Sequence, residues 1–274
     1  MPFKPMNLQE QYDKCVNLKK SDIQYIQKWL EKQPHLPPIS EIELVYFLHS
    51  CYYSIEKTKA TIDSFFTLKT ACPEFFGKKD SEELKMSLNE AVYAPLPTLT
   101  PEGYQVIFTK LLNCNPDTYD FGNHMKYLST CIHIWLMETG NVNGIVFVFD
   151  MDGCVLGHVT KIPITSFKKI VTFLQEALPI RLKGIHCINT APFIDMLLSL
   201  IKPFMNLELM SLLHFHTKSL DTLFQYVPLE CLPTDYGGSE VSVAELHESS
   251  KHVITDNSTF IEEQEKRNVD EKKD

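Results

Sequence analysis

With 274 residues, 44% of them hydrophobic, the chain is long enough to bury a full core, as one large domain or as a large domain with a smaller appendage. Thirty-five acidic residues against 26 basic ones leave a net charge of −9, which repels a phosphate backbone and excludes nucleic acid as an expected partner. Eight cysteines stand at irregular spacings with no C-x-x-C pair, which argues against a zinc site and a dense disulfide framework and points to reduced thiols.

The first residues, MPFKPMNLQEQYDK, lack the apolar core of a signal peptide, and no run approaches the length that spans a bilayer. A cytoplasmic protein is expected. Helical signals fill residues 1–85. Ser21-Asp22 precedes Ile23, Ile26 and Leu30 at helical spacing, and Ser40-Glu41-Ile42-Glu43 fits a capping box after Pro37-Pro38. A further helix starts at Ser54, carries Ile55, Ile62, Phe65, Phe66 and Lys69, and stops before Pro73.

From residue 104 strands and helices alternate. Tyr104–Thr109 (YQVIFT) has strand composition and Tyr127–Met137 is apolar at helical spacing. Gly144–Phe149 (GIVFVF) is a continuous β-branched and aromatic run, which suits a strand covered on both faces. Phe167, Ile170, Val171, Leu174 and Leu178 mark an amphipathic helix. A strand over 184–188, a helix over 192–202, a strand over 212–216 and a helix near 219–226 follow. This order gives an α/β fold with a mainly parallel sheet. Residues 246–274 are expected to be a charged C-terminal tail, whose last dozen residues, rich in mixed charge and poor in apolar groups, suit a frayed helix or a disordered tail.

Open α/β sheets place ligands at the carboxyl ends of their strands. There the chain has Asp150-Met151-Asp152-Gly153, two carboxylates that could hold a metal, but no calcium loop surrounds them and turn capping is the simpler role. No G-x-G-x-x-G, G-x-x-x-x-G-K-[ST] or G-x-S-x-G motif is present, so dinucleotide, nucleotide and serine-hydrolase signatures are missing. His214 and His216 would share one strand face, as two metal ligands do, but lack a third ligand in sequence. Cys131, Cys154 and Cys187 lie in apolar stretches and read as packing residues. His124, His133, His158 and His186 have no evident catalytic partner. No enzyme, cofactor or metal is expected.

Unusual instead is the helix over 192–202. Phe193, Ile194, Met196, Leu197, Leu198, Leu200 and Ile201 leave only Asp195, Ser199 and Lys202 polar, so it needs cover on more than one side. A central packed helix would satisfy it. So would a lid with one face on the protein and the other on a bound lipid. Burying about 400 Å² of lipid at roughly 25 cal/mol/Å² gives on the order of 10 kcal/mol before association costs, enough without a charged anchor.

Four stretches in register, GIVFVFDMDG (144–153), PIRLKGIHCIN (179–189), IKPF (201–204) and LPTDYGG (232–238), resemble the CRAL-TRIO (Sec14-like) lipid-binding family, and in particular its tocopherol-transfer and retinaldehyde-binding branch and similar insect proteins. The resemblance covers about residues 20 to 245. It implies an N-terminal helical bundle over 1–85 and a lipid-binding domain over 86–245, whose sheet and helices enclose one hydrophobic molecule beneath a helical lid, Phe193 to Leu212.

The pocket positions it implies are Cys131, Ile145, Phe147, Phe149, Ile162, Ile170, Leu174, Leu178, Ile180 and Ile185, with Phe193, Leu197 and Leu200 from the lid. It also implies phosphoinositide contact at Arg181, with Lys183 nearby. The chain departs from the family at Phe47-Leu48-His49-Ser50-Cys51, where relatives commonly read Phe-Leu-Arg-Ala-Arg, and at Glu208 and Leu212, where relatives carry basic residues. Each basic residue near an anionic surface contributes about 1 kcal/mol, so these losses weaken headgroup-triggered exchange. The expected function is a cytosolic carrier of one small lipophilic molecule such as a retinoid, carotenoid, tocopherol or isoprenoid, with transient membrane contact. The alternative is an adapter whose lipid pocket is vestigial.

Overall fold

A computed structural model of the chain describes residues 4–78, 81–190, 193–217, 219–270 and 272. The N-terminal part is helical: α1 (Leu8–Lys14), α2 (Lys20–Leu30), α3 (Glu41–Ser50), α4 (Ile55–Ala71), α5 (Pro73–Phe76) and α6 (Ser81–Glu90). The capping box at α3 forms as expected. The Ser40 hydroxyl accepts the Glu43 N–H at 3.3 Å while the Glu43 carboxylate accepts the Ser40 N–H at 2.8 Å. Ile23, Ile26, Leu44, Phe47, Leu48, Ile62 and Phe66 are buried and join one face of the sheet through Ile107, Trp135, Ile145 and Phe147.

Five strands form one sheet: β1 (Ala91–Pro95), β2 (Tyr104–Leu111), β3 (Gly144–Asp150), β4 (Leu182–Ile188) and β5 (Leu213–His216), lying side by side in chain order. β1 runs antiparallel to β2 and the other neighbours are parallel. The connections carry α7 (Phe121–Thr139), α8 (Leu156–Thr160), α9 (Ile164–Glu176), α10 (Ile194–Ile201) and α11 (Leu207–Ser211), and the chain continues into α12 (Val243–Asp256) and α13 (Ser258–Glu265).

Successive residues of a strand face opposite ways, so the sheet has two different faces. One presents Val106, Phe108, Val146, Val148 and Ile188 and is covered by Leu223, Val227, Leu232 and Leu246 from the later turns and α12. The other presents Phe147, Phe149, Ile185, Cys187, Leu213 and Phe215 towards α7, α9 and α10.

Three expectations differ from the structure. β1 is not among the expected strands: its strand formers are only Val92 and Tyr93, flanked by alanine and proline, and it stands as an edge strand held by its pairing with β2. Near 219–226 the backbone makes a short 3-10 turn, Leu220–Thr222, in place of a helix. The Ser219 hydroxyl accepts the Asp221 N–H at 2.9 Å and favours the tighter turn. The stretch read as a charged tail ending in a frayed helix or disorder is instead largely packed helix, and its charges meet buried partners: Arg267 binds Glu43 and Lys126 binds Glu265. Those partners lie more than a hundred residues away, which local composition does not reveal. Of the helix expected over 192–202, Pro192 lies outside the described residues.

Candidate functional site

Between the second sheet face and the helices lies a cavity of about 350 Å³. β3, β4 and β5 supply its floor. Phe121, Met125, Leu128 and Ile132 on α7 form one wall at the i, i+4, i+7, i+11 spacing of a single helix stripe, and Phe167, Ile170 and Leu174 on α9 form another. α10 and the chain after it roof the space with Phe193, Ile194, Leu197, Leu198, Ile201, Met205 and Leu209. A volume in the range of small-molecule pockets with an almost wholly apolar wall suits a lipophile better than water, because water needs two to four polar partners.

The outer side of α10 is uncovered. Met196 is 43% exposed and Leu200 47%, and Leu207 on α11 is 85% exposed. The helix that is apolar all round thus has the cavity on one side and solvent on the other.

Polar groups border the cavity at two places. The Asp150 carboxylate accepts from Lys110 Nζ (2.6 Å), from Asn189 Nδ2 (2.8 Å) and from the hydroxyl of Tyr236, while Lys110 Nζ also reaches Asp152 at 3.4 Å. Burial pulls the Asp150 carboxyl upward, but the donors outweigh it and hold it below the usual carboxylate range. The second group is aromatic. Tyr93 Oη lies 3.0 Å from His124 Nδ1, Tyr119 stacks on His124 with ring centroids 4.7 Å apart, and Tyr119 meets His158 edge-on at 5.3 Å. Burial lowers His124 to about 4 and raises Cys154 to about 11 and Cys187 to about 12, so the thiols on the wall are not thiolates at neutral pH.

Among the described residues no cluster of His, Cys, Asp or Glu is arranged to hold a metal ion. Asp150 receives the Asp152 N–H at 2.9 Å, a turn contact. His186, His214 and His216 stack on the sheet face away from the cavity. His186 Nδ1 lies 3.0 Å from His216 Nε2, and burial followed by its two histidine neighbours pushes His186 down to about 3.

The CRAL/TRIO domain profile matches residues 89–238, more than half of the chain. The chain belongs to the CRAL/TRIO family. A second profile, the Pinta-like UBA domain, matches residues 16–86, which hold α2 to α5 and most of α6. The chain is 26% identical over 222 residues to an alpha-tocopherol transfer protein-like protein of Mus musculus, covering 80% of this chain and 64% of that one. It is 21% identical over 163 residues to clavesin-1 of Xenopus laevis, covering 59% of this chain and 49% of that one. The alignments therefore span less than two thirds of either relative. The crystal structure of Sfh5 overlays at a TM-score of 0.47 with 13% identity, covering 93% of this chain and 86% of that one.

Of the pocket positions that the CRAL/TRIO resemblance implies, Phe147, Phe149, Ile162, Ile170, Leu174, Leu178, Ile185, Phe193 and Leu197 come together on the cavity wall. Four do not. Cys131 lies off the α7 stripe and packs with Tyr127, Ile134, Ile254 and Ile261. Ile145 faces the same way as Phe147 but sits at the start of β3, in the core shared with the N-terminal helices, and Ile180 packs against that same core. Leu200 is on the outer side of α10. Residues that sequence reasoning missed include Tyr119, Phe121, Met125, Leu128, Leu209 and Phe215. The regular spacing on α7 was the available signal for three of them.

Arg181 and Lys183 stand apart from the cavity wall. Arg181 Nε donates to the His49 carbonyl at 2.8 Å and its guanidinium lies 4.2 Å from the Tyr52 ring centroid. Lys183 Nζ donates to the Tyr52 hydroxyl at 3.1 Å. Both cations join the sheet to the end of α3, at the stretch where the chain departs from the family's arginines.

Proposed function

We propose that the protein binds one small lipophilic molecule, of the retinoid, carotenoid, tocopherol or isoprenoid kind, in the cavity beneath α10 and carries it through the cytosol between apolar environments. The observation that carries this reading is the apolar chamber of about 350 Å³, which the protein's own side chains leave open. Family membership supports it. An adapter with a vestigial pocket would have a filled one.

In this reading α10 and α11 are a lid. Their inner residues meet the ligand, and the exposed Met196, Leu200 and Leu207 make transient contact with a membrane surface during exchange. Among the described residues no helix is long and apolar enough to cross a membrane. All eight cysteines are free, which supports a reducing compartment. In this reading the role is carriage rather than turnover, and burial raises the wall thiols Cys154 and Cys187 above their ordinary values.

The test is transfer of fluorescent lipids from donor to acceptor vesicles. Catalytic amounts of protein should accelerate transfer of at least one lipid class, and Leu197→Asp, which puts a charge on the roof, should abolish it while the fold is retained. Failure to bind or transfer any of a broad panel of lipophiles contradicts the proposal.

A further inference from the structure

Resting on the carrier reading, in which α10 and α11 are a lid, we infer that Gln175 is a positioning residue for ligand exchange: its side-chain amide is the latch that ties the lid to the body, and its release sets how fast the cavity opens. Gln175 lies in the last turn of α9. Its Nε2 donates to the Phe204 carbonyl at 3.3 Å, and its Oε1 accepts the Asn206 N–H at 2.7 Å. One planar amide thus clamps the backbone that joins the two lid helices. A backbone N–H only donates and a carbonyl only accepts, so the partners fix which way the amide points.

No second polar tether reaches the body from the described residues Phe193 to Ser211. Their other hydrogen bonds stay within the stretch: Ser199 Oγ donates to the Asp195 carbonyl, the Leu209 N–H to Asn206 Oδ1 and Ser211 Oγ to the Glu208 carbonyl. Asp195, Lys202 and Glu208 form no ion pair among the described residues. Fixed points stand only outside the stretch. Asn189 Nδ2 donates to Asp150 at 2.8 Å before it, and the Ile185 N–H donates to the Leu212 carbonyl at 2.7 Å after it.

Between those anchors the lid is held by Gln175 and by apolar contact. In the ligand-free protein that contact is thin, because Phe193, Leu197 and Ile201 roof about 350 Å³ of space and lack partner atoms across it. Gln175 is not on the cavity wall and its partner Asn206 is exposed, so water can replace the clamp without disturbing the guest's own contacts. The clamp forms equally over an empty and an occupied cavity. It therefore governs entry and exit together and leaves affinity alone.

The experiment compares the wild-type protein with Gln175→Met, which keeps the side chain's length and removes both bonds, and Gln175→Glu, whose carboxylate keeps the acceptor for Asn206 and loses the donor to Phe204. Amide hydrogen exchange of the ligand-free proteins is read by segment. α10 has eight residues, too few for a helix to persist once lifted away, so opening exposes its amides to solvent. Exchange over residues 194–211 should be about tenfold faster in Gln175→Met, the worth of two net hydrogen bonds, with α2 unchanged and Gln175→Glu in between. Stopped-flow binding of all-trans-retinol, followed by its own fluorescence, should show association and dissociation both about tenfold faster in Gln175→Met at an unchanged Kd. Unaltered exchange over 194–211 would overturn the inference. So would a Kd that rises with the dissociation rate while association stays constant, the mark of a deformed pocket. Failure of the wild-type protein to take up retinol or any lipid of a wider panel would instead contradict the carrier reading, and the exchange data would still decide for or against the latch.

Discussion

The two faces of the sheet are built from alternate residues of the same strands, yet they end in opposite ways. Val106, Phe108, Val146, Val148 and Ile188 meet the chain's own Leu223, Val227, Leu232 and Leu246 and form a buried core. One residue along each strand, Phe147, Phe149, Ile185, Cys187 and Phe215 look into about 350 Å³ of space roofed by α10. The difference is not one of composition, since both faces are apolar. What separates them is cover: turns and α12 lie on the first face, whereas α7, α9 and α10 stand away from the second.

That contrast has measurable consequences. Phe108→Ala removes a fully buried ring from the filled face and should cost about 3–5 kcal/mol in chemical denaturation. Phe149→Ala should cost the ligand-free protein only about 1 kcal/mol, because its ring already borders empty space. Equal losses would erase the distinction between the faces. Saturating lipid should raise stability by about 2.7 kcal/mol when its free concentration is a hundred times Kd, and should do so equally in Phe108→Ala. Adding bulk sharpens the comparison further. Val148→Phe overfills the packed face and should cost about 1–3 kcal/mol without changing lipid affinity. Leu174→Trp should be nearly neutral for the fold and lower lipid affinity at least about tenfold by occupying the guest's volume.

A further expected effect is on pH dependence. Burial depresses His49 and His186 to about 3 and His124 and His133 to about 4, all below the ordinary histidine value of 6.5. The unfolded chain therefore takes up protons first. The stability contributed by these neutral rings is complete above about pH 6.5 and is lost progressively as pH falls towards 3 to 4. Carboxylates titrate lower, so the window from pH 6.5 to 5 belongs to the histidines. Thermal midpoints should decline across that window, and His186→Leu should flatten the decline. An unchanged slope would remove His186 from the account.

Much of the fold was legible because periodicity is a local property. The continuous run Gly144–Phe149 and the i, i+3, i+4 pattern from Phe167 mark β3 and α9 directly. The all-round apolar helix signalled an element that needs more than one kind of cover, and α10 lies between the cavity and solvent. Other features depend on distant partners. β1 exists because β2 pairs with it, and the helical end of the chain is held by Glu43 and Lys126. Of the positions that the family resemblance implies, Phe147, Phe149, Ile170 and Leu174 line the cavity, each in the inward phase of its own element. Phase alone does not place the others. Ile145 shares the phase of Phe147 but lies under the N-terminal bundle, and Leu200 lies opposite the inward stripe of Phe193, Leu197 and Ile201.

The most direct test of the central claim is a native mass spectrum of the purified protein before and after incubation with mixed cellular lipids. A single lipophile bound one-to-one, extractable by organic solvent and absent from Leu174→Trp, is the predicted result. A bare chain mass in every sample, from folded protein that also takes up no added lipid, would contradict it.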